Sequence, residues 1–307
     1  MRHILLSLAL IALPCAAHAQ QADLPDAKLF PEGIAAAPDG TLYVGSFNRG
    51  EILRRPAGAA SFEQFIEPGE SGLVSVIGVA VDARRNLLFA CSSDFGFGER
   101  AGRHPKDQPS ALTAFDLKSG APRGRWPLSP HSFCNDIAIQ DDGSVLATDS
   151  LTPTIYRLAP DLTNFGSWLQ DERWRVTPIG LNGIAVRGTD VYTVTYSDGR
   201  LFRIDAKQRV HEVELPRRLS LPDGVKVLSN GDLLLVEGSG RLTRIALSGD
   251  SARLTVLRDG LNQPTTVAPM EHGAWVLEGQ IGLLADPAKH GQRPALPFRA
   301  VWVELLP

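Results

Sequence analysis

The chain has 307 residues, of which 31 are basic and 34 acidic, and a formal net charge of −3. A length of this order allows one large β domain or two smaller ones. Because charges of both signs are interspersed, the sequence lacks the basic footprint of a nucleic-acid-binding protein, and a small-molecule partner is expected instead. Nothing in the sequence specifies an oligomeric state.

The N-terminal segment has the features of a secretory signal peptide. A basic start precedes an apolar run at residues 4–13, and the small-residue triplet Ala17-His18-Ala19 offers a cleavage site. A lipoprotein signal with Cys15 as the lipidated residue is the alternative. The apolar run is too short to span a bilayer, and no later stretch reaches the ~20 apolar residues that a spanning helix needs. We therefore expect residues 1–19 to be removed and residues 20–307 to form a single domain, exported to the periplasm or secreted.

The rest of the chain is predicted to be all-β, because Gly and Pro are frequent and apolar residues alternate in short runs. One unit of a strand, a polar turn and further strands recurs six times. The copies begin at Glu32-Gly33-Ile34-Ala35, Ile77-Gly78-Val79-Ala80, Asn135-Asp136-Ile137-Ala138, Asn182-Gly183-Ile184-Ala185, Asp223-Gly224-Val225-Lys226 and, more weakly, Pro264-Thr265-Thr266-Val267. Their spacing of 41 to 58 residues is that of one propeller blade. The sequence therefore predicts a six-bladed β-propeller and leaves open which terminal segment closes the ring.

Hairpin turns support this register of the repeat. Asp39-Gly40, Asp142-Gly143 and Asn230-Gly231 each follow the first strand of a copy by about the same distance. Asp-Gly and Asn-Gly are strong hairpin signals because both central residues of such a turn need positive φ.

Four of the six copies begin with an oxygen-bearing side chain: Glu32, Asn135, Asn182 and Asp223. The first strand of each blade lines the central channel of a propeller, so the four would share one rim. Buried carboxylates are costly unless they are paired or bind a cation. The oxygen set and the absence of His and Cys favour one divalent ion, Ca²⁺ before Zn²⁺, Mg²⁺ or Mn²⁺. The sequence thus predicts a central metal-binding channel, with simple turn capping by these residues as the alternative.

The ends of the second strands should return to the same rim and form the pocket wall. Among them we expect Phe47, Asp149 and Glu237 to contact a substrate. Cys91 and Cys134 lie near this rim in neighbouring copies, so an oxidising compartment would let them form a disulfide; two buried thiols are the alternative.

The second copy is the longest of the six. Its additional residues fall at 94–110, a Gly-rich stretch with several basic side chains. Loops of this length in compact domains are often lids, and this one would overhang the channel.

These motifs resemble those of the senescence marker protein and gluconolactonase family, which includes regucalcin, and more distantly those of diisopropyl fluorophosphatase and paraoxonase. The matching segments are Phe30-Pro31-Glu32-Gly33-Ile34, Cys134-Asn135-Asp136, Gly180-Leu181-Asn182-Gly183-Ile184-Ala185 and Leu221-Pro222-Asp223-Gly224-Val225. The resemblance covers nearly the whole chain after residue 19. It implies a six-bladed propeller with a catalytic divalent ion held by Glu32, Asn182 and Asp223. It also implies that Asn135 is either a fourth ligand or a substrate contact.

One departure from the family pattern bears on the substrate. The sugar lactonases carry an arginine two residues before the first of these asparagines, and this chain has Phe133 there. We therefore expect Phe133 to contact an apolar or aromatic ester or lactone rather than a sugar.

The resulting hypothesis is a metal-dependent hydrolase of lactones or related esters, with Asp223 as base or nucleophile. A non-catalytic propeller that binds a small molecule or a protein partner through the same channel is the alternative. A strictosidine synthase-like propeller is disfavoured, since that chemistry relies on a catalytic Glu and needs no such ligand set.

Overall fold

The computed structural model describes residues 20–105, 108–289 and 291–305. They form six four-stranded antiparallel sheets arranged as a β-propeller, which confirms the predicted all-β fold and the number of blades. The predicted signal peptide, residues 1–19, lies outside the described residues. No helix in the described part of the chain is long and apolar enough to cross a membrane.

Blades one to five take their strands in the order of the chain, from the channel outwards. The chain begins with a short strand, β1 (Gln21–Asp23). Blade one contains β2 (Pro31–Ala36), β3 (Leu42–Ser46), β4 (Ile52–Arg55) and β5 (Glu63–Ile66). Blade two contains β6 (Ser75–Asp82), β7 (Leu87–Ser93), β8 (Ser110–Asp116) and β9 (Pro122–Pro127). Blade three contains β10 (Cys134–Ile139), β11 (Val145–Asp149), β12 (Thr154–Leu158) and β13 (Phe165–Gln170).

The second half of the ring follows the same plan. Blade four contains β14 (Leu181–Arg187), β15 (Asp190–Thr195), β16 (Arg200–Ile204) and β17 (Val210–Glu212). Blade five contains β18 (Pro222–Val227), β19 (Leu233–Glu237), β20 (Arg241–Ser248) and β21 (Ser251–Arg258). Blade six contains β22 (Pro264–Pro269), β23 (Gly273–Glu278) and β24 (Arg299–Glu304). Helical structure in the described ranges comprises α1 (Gly282–Ala285) and one-turn 3₁₀ helices at Glu70–Gly72, Glu172–Trp174 and Pro287–Lys289.

The N-terminal strand closes the ring. β1 pairs antiparallel with β24, with Ala22 opposite Ala300, and so becomes the outermost strand of blade six. The innermost strands contact one another all the way round, and β22 of blade six meets β2 of blade one. Both ends of the described chain are therefore held in one sheet.

Apolar side chains between adjacent blades form the core. Between blades four and five, for example, Tyr192, Val194 and Leu201 pack against Leu233 and Leu235, and all five are almost completely buried. Burial of each large apolar side chain stabilises the fold by about 1.5–3 kcal/mol. Since such clusters lie between blades, each blade depends on its neighbours, and the channel end where polar side chains converge is held by the whole ring.

Candidate metal and substrate site

A β-bulge near the start of every innermost strand positions the candidate ligands. In blade one the pairing of β2 with β3 is interrupted between Pro31 and Ile34, so Glu32 and Gly33 stand outside the ladder. A corresponding interruption occurs in the other five blades; it encloses two residues in blades two to five and Thr265 alone in blade six. Bulges bend a strand and re-aim its side chains. The bulge explains how residues that are poor strand formers occupy the first strand of a blade.

Glycine after the ligand position allows neighbouring bulges to touch. A side chain at Gly33 would collide with the carbonyl oxygen of Ile77 in blade two, and one at Gly183 with the carbonyl oxygen of Asp223 in blade five. Thr265, which occupies the ligand position in blade six, donates a hydrogen bond from Oγ1 to the carbonyl oxygen of Glu32 at 2.8 Å. The six bulges thus pack directly against one another at the channel axis.

The four predicted ligand residues all line one cavity of about 270 Å³ at this end of the channel. Glu32, Asn135, Asn182 and Asp223 are each less than 10% exposed. Within the described ranges, no three His, Cys, Asp or Glu side chains cluster in a way that could hold a metal ion. A cation here would therefore depend on the two amide oxygens as well as the two carboxylates.

The two amides differ in their surroundings. Asn182 Oδ1 is buried and has no hydrogen-bond partner among the described residues. The Nδ2 group of Asn135 donates to Ser150 Oγ at 2.9 Å, and Ser150 in turn donates to the carbonyl oxygen of Leu181 at 2.6 Å. An unpaired buried acceptor costs about 1–3 kcal/mol. Of the two amides, Asn182 is thus the one with a buried oxygen atom left to bind a cation or a hydrogen-bond donor.

The two carboxylates are strongly affected by burial. Burial raises the pKa of Glu32 well above its usual range, and the negative charges of Asp223 and Asp136 raise it further. Burial likewise raises the pKa of Asp223, as does the charge of Asp136. A hydrogen bond from Asn182 and the charge of Lys226 lower the pKa of Asp223 only in part. We call the part of the cavity lined by Glu32, Asn135, Asn182 and Asp223 its floor. Positive charge there would favour the ionised form of both carboxylates.

An ion pair between the buried Asp136 and the partly exposed Lys226 lies beside this floor. Lys226 Nζ is 3.0 and 3.2 Å from the carboxylate oxygens of Asp136, and the backbone N–H of Ile184 donates to the same carboxylate at 3.1 Å. Asp136 occupies the place that glycine takes after the ligand position in four other copies. The pair therefore joins blades three and five across the channel.

The cavity wall is rich in aromatic side chains. Phe47 and Phe133, for which the sequence predicts substrate contact, line the cavity, and Phe95 and Phe97 of the long segment after β7 line it beside them. Phe47 and Phe97 are stacked, with their ring centroids 5.2 Å apart. We refer to these four residues as the phenylalanine wall.

The segment between β23 and β24 covers another side of the cavity. It contributes Ile281, Ala285 and Lys289 to the lining. The backbone N–H of Gly282 donates to Gln263 Oε1 at 3.1 Å, which fixes the start of α1 at the cavity edge. The sequence showed only an irregular stretch here.

Asp149 does not contact the cavity, contrary to the prediction. Its fully buried carboxylate accepts hydrogen bonds from the backbone N–H of Phe133 at 2.8 Å, from that of Leu151 at 3.0 Å and from Thr152 Oγ1 at 2.6 Å. Both carboxylate oxygens are thus engaged within the fold. Asp149 therefore holds the loop that carries Phe133 and is not a substrate contact.

Glu237 does not contact the cavity either. Its carboxylate accepts two hydrogen bonds of 2.7 Å from Arg217, one of 2.7 Å from Ser220 N–H and one of 2.7 Å from Thr243 Oγ1. Glu237 is thus a buried carboxylate in a structural ion pair with the partly exposed Arg217.

Tyr196 was not among the site residues predicted from the sequence, although it follows a second-strand end expected to form the pocket wall. It lies just after β15 and lines the cavity with Asp223. Burial raises the pKa of Tyr196 above its ordinary value, and the charges of Asp223 and Glu32 raise it further. The phenol is therefore a protonated donor at neutral pH. Nothing distinguished it in the sequence from other polar residues at strand ends.

Cys91 and Cys134 are joined by a disulfide, with their Cα atoms 5.2 Å apart. The bridge links β7 to the first residue of β10. It therefore ties blade two to the strand that carries Asn135.

Together, the fold and the cavity define a six-bladed propeller with an oxygen-rich site at one end of its channel. The family described as strictosidine synthase-like, N-terminal, matches residues 17–55, a segment that contains Glu32. No curated protein matches the chain in sequence.

Solved structures share the fold over nearly the full chain. A virginiamycin B lyase from Staphylococcus aureus has a TM-score of 0.64 at 12% identity, covering 94% of this chain and 99% of that one. A gluconolactonase from Xanthomonas campestris has a TM-score of 0.62 at 15% identity, covering 94% and 88%. A luciferin-regenerating enzyme has a TM-score of 0.64 at 12% identity, covering 94% and 95%. At these identities the likeness shows the fold.

Proposed function

We propose that this protein is a metal-dependent hydrolase of lactones or related esters. The observation that carries the proposal is the convergence of two carboxylates and two amides on one cavity, where Asn182 Oδ1 is buried without a partner. Glu32, Asn182 and Asp223 would hold the ion, with Asn135 as a fourth ligand or a substrate contact. Oxygen-only ligands of this kind favour Ca²⁺, with Mg²⁺, Mn²⁺ and Zn²⁺ as alternatives.

The charge of the channel supports a divalent ion. Glu32, Asp136 and Asp223 are buried carboxylates, and Lys226 is the cation that lowers the pKa of both Glu32 and Asp223. With all four groups ionised, the set carries a net charge of −2. A divalent cation would neutralise that charge, and a buried charge is stable only when it is compensated.

The chain supplies the groups that ester hydrolysis needs. When bound, a divalent cation supplies Lewis acidity toward a carbonyl oxygen or water. Asp223 would accept a proton from water or attack the carbonyl carbon. Tyr196 would donate its phenolic proton in a hydrogen bond to the substrate oxygen on which negative charge develops. The phenylalanine wall and the segment that carries α1 would exclude bulk water.

Two further observations favour an exported enzyme. The gluconolactonase and the luciferin-regenerating enzyme with this fold are named as enzymes, which supports catalysis over mere ligand binding. The Cys91–Cys134 disulfide fits the expected periplasmic or secreted location, since disulfides persist in oxidising compartments.

The test is the variant Asp223→Asn, which keeps an oxygen ligand but removes the base or nucleophile. We expect it to retain cation binding, measured by calorimetry, and to lose hydrolysis of lactones and aryl esters by about 100-fold or more. Asp259→Asn, at a largely exposed carboxylate, is the control and should change neither property. The proposal fails if the unaltered protein hydrolyses no ester or lactone with Ca²⁺, Zn²⁺, Mg²⁺ or Mn²⁺, or if Asp223→Asn keeps the full rate.

A further inference from the structure

The phenylalanine wall is a continuous aromatic surface built from three separate parts of the chain. Phe95 meets Phe133 edge to face, with centroids 5.0 Å apart and ring planes at 87°, and it meets Phe97 at 5.3 Å and 65°. Phe97 stacks on Phe47 at 5.2 Å and 19°. Phe47 lies in the turn after β3, Phe95 and Phe97 in the segment after β7, and Phe133 just before β10. The contacts link all four rings.

The outermost ring of this wall is left partly uncovered. Phe47 and Phe133 are buried in the core, whereas Phe95 is 37% exposed even though its ring touches two others. A large aromatic side chain at a cavity mouth that remains partly in water can still gain contact area with a ligand.

The wall has no polar side-chain atom to offer a ligand. A sugar lactone carries a hydroxyl on nearly every ring carbon, and each hydroxyl that faces the wall would lose its water without gaining a hydrogen bond. A flat aromatic ring gains contact area there and can adopt the offset or edge-on geometries that aromatic pairs prefer.

The size of the cavity limits the ligand further. An apolar cavity of about 150 Å³ holds one benzene molecule. The cavity here measures about 270 Å³ and contains the polar ligand residues at its floor. It therefore has room for one aromatic ring together with a short ester or a fused lactone ring.

From these observations we infer that the phenylalanine wall is a binding subsite for an aromatic ring, and that the substrate is a small aryl ester or benzo-fused lactone whose carbonyl faces the cavity floor. The inference rests on the proposed hydrolase function for the reaction. The subsite itself depends only on Phe47, Phe95, Phe97 and Phe133 and the cavity that they line.

Binding of lactams tests the subsite independently of hydrolysis, because lactams mimic lactones but resist cleavage. We would measure, by calorimetry in CaCl₂, the Kd of 1,4-dihydroisoquinolin-3-one, a benzo-fused lactam, and of δ-valerolactam, which lacks the benzene ring. The unaltered protein should bind the benzo-fused lactam at least about tenfold more tightly. Phe97→Leu should reduce this preference by about two- to tenfold, the range of a single aromatic contact, and leave the Kd of δ-valerolactam unchanged.

Phe65→Leu is the matched control, because Phe65 is partly buried, meets Tyr43 edge to face at 5.3 Å and lies away from the cavity. Phe95→Leu, at the exposed end of the wall, serves as a second variant should Phe97→Leu fold poorly. Equal Kd values for the two lactams, or a preference that survives in both wall variants, would overturn the subsite.

Hydrolysis of the corresponding lactones, isochroman-3-one and δ-valerolactone, separates this inference from the proposed function. Both release an alcohol, so the benzene ring is the main difference between them. A kcat/KM that is higher for isochroman-3-one than for δ-valerolactone, and that falls in Phe97→Leu, supports both the aromatic subsite and the proposed hydrolase function. A lactam preference that depends on Phe97, without hydrolysis of either lactone, supports the subsite and refutes the hydrolase. Hydrolysis of both lactones at equal kcat/KM, with equal lactam Kd values, refutes the subsite alone.

Discussion

Replacing Asn182 by leucine separates the stability of the cation-free protein from its response to a cation. Leucine has the same branching and number of side-chain heavy atoms as asparagine, and it removes both the unpaired Oδ1 and the amide that bonds to Asp223. If Asn182 Oδ1 is a metal ligand, the substitution should have little effect in a chelator and a large effect in CaCl₂.

In a chelator, two contributions of opposite sign determine how much Asn182→Leu changes the free energy of unfolding. Removal of a buried acceptor without a partner stabilises the protein by about 1–3 kcal/mol. Loss of the hydrogen bond from Asn182 to Asp223 costs about 1.5–3 kcal/mol. We therefore expect the free energy of unfolding to change by no more than about 2 kcal/mol.

In CaCl₂ we expect a larger difference in stability between the unaltered protein and Asn182→Leu than in a chelator. A cation at 100 times its Kd adds about 2.7 kcal/mol to the stability of the folded state. At about 2 °C per kcal/mol for a domain of this size, the unaltered protein should gain roughly 5 °C in Tm. Asn182→Leu should lose most of that gain because one ligand oxygen is missing.

The assay is thermal and urea unfolding, followed by circular dichroism, in EDTA and in CaCl₂. Asn48→Leu is the control, since Asn48 is equally buried but uses both ends of its amide, donating to Lys28 O at 2.8 Å and accepting from Glu99 N–H at 3.1 Å. It should lose about 1–3 kcal/mol in both buffers and keep the calcium shift. An Asn182→Leu protein with the same calcium shift as the unaltered protein would refute the assignment of Asn182 as a ligand.

Two other predictions follow from the buried polar groups. Tyr196→Phe should lower kcat for a lactone by about 100-fold with little change in KM or in cation affinity, because it removes a hydrogen bond made in the transition state; an unchanged kcat would exclude that role. Arg217→Met should lower stability by about 2–4 kcal/mol at pH 7, since it leaves the buried Glu237 carboxylate without its cation, although partial exposure of Arg217 moderates the loss. Burial raises the pKa of Glu237, but the hydrogen bonds from Arg217, Ser220 and Thr243 outweigh this effect and hold that pKa below its ordinary value. The ionised Glu237 carboxylate thus contributes stability at neutral pH, and this contribution is lost as the pH falls below about 4.5 towards the folded-state pKa. Urea unfolding that gave the same difference in stability between the unaltered protein and Arg217→Met at pH 7 and at pH 3.5 would contradict the argument.

The fold could be predicted because the blade is a local unit that repeats. Each copy has its own turn and its own bulged first strand, and these leave a signal in sequence. The way the ring closes leaves no such signal, because β1 (Gln21–Asp23) is only three residues long and pairs with β24 at the far end of the chain. Outer strands such as β21 (Ser251–Arg258) are largely exposed, so their positions are constrained less by burial than those of the inner strands.

The floor of the site could be predicted from the sequence, and its walls only in part. Positions that begin the innermost strands converge by symmetry, so the repeat alone placed Glu32 and Asp223 together. The length of the segment at residues 94–110 predicts that it overhangs the channel, but its length and basic residues do not indicate which side chains enter the cavity. The structure brings Phe95 and Phe97 into it. The segment carrying α1 occurs once, and a feature that does not repeat has no register by which to place it. Tyr196 follows the end of a second strand as Phe47 does, but residue type did not distinguish it from the other residues at strand ends.

The error over Asp149 and Glu237 has a structural cause that applies to all six blades. Near the end of each second strand, an oxygen-bearing side chain forms a hydrogen bond with the backbone two to three residues before the bulged ligand position of the same blade. The pairs are Ser46 with Leu29, Ser92 with Val74, Asp149 with Phe133, Ser197 with Ile179, Glu237 with Ser220, and Glu278 with Asn262. A buried backbone group at a strand entry needs a partner, and these side chains supply it. Their recurrence therefore reflects a structural requirement of each blade. Among the described residues, no such hydrogen bond to the strand entry engages the side chains of Glu32, Asn182 or Asp223, which leaves these three available for a ligand.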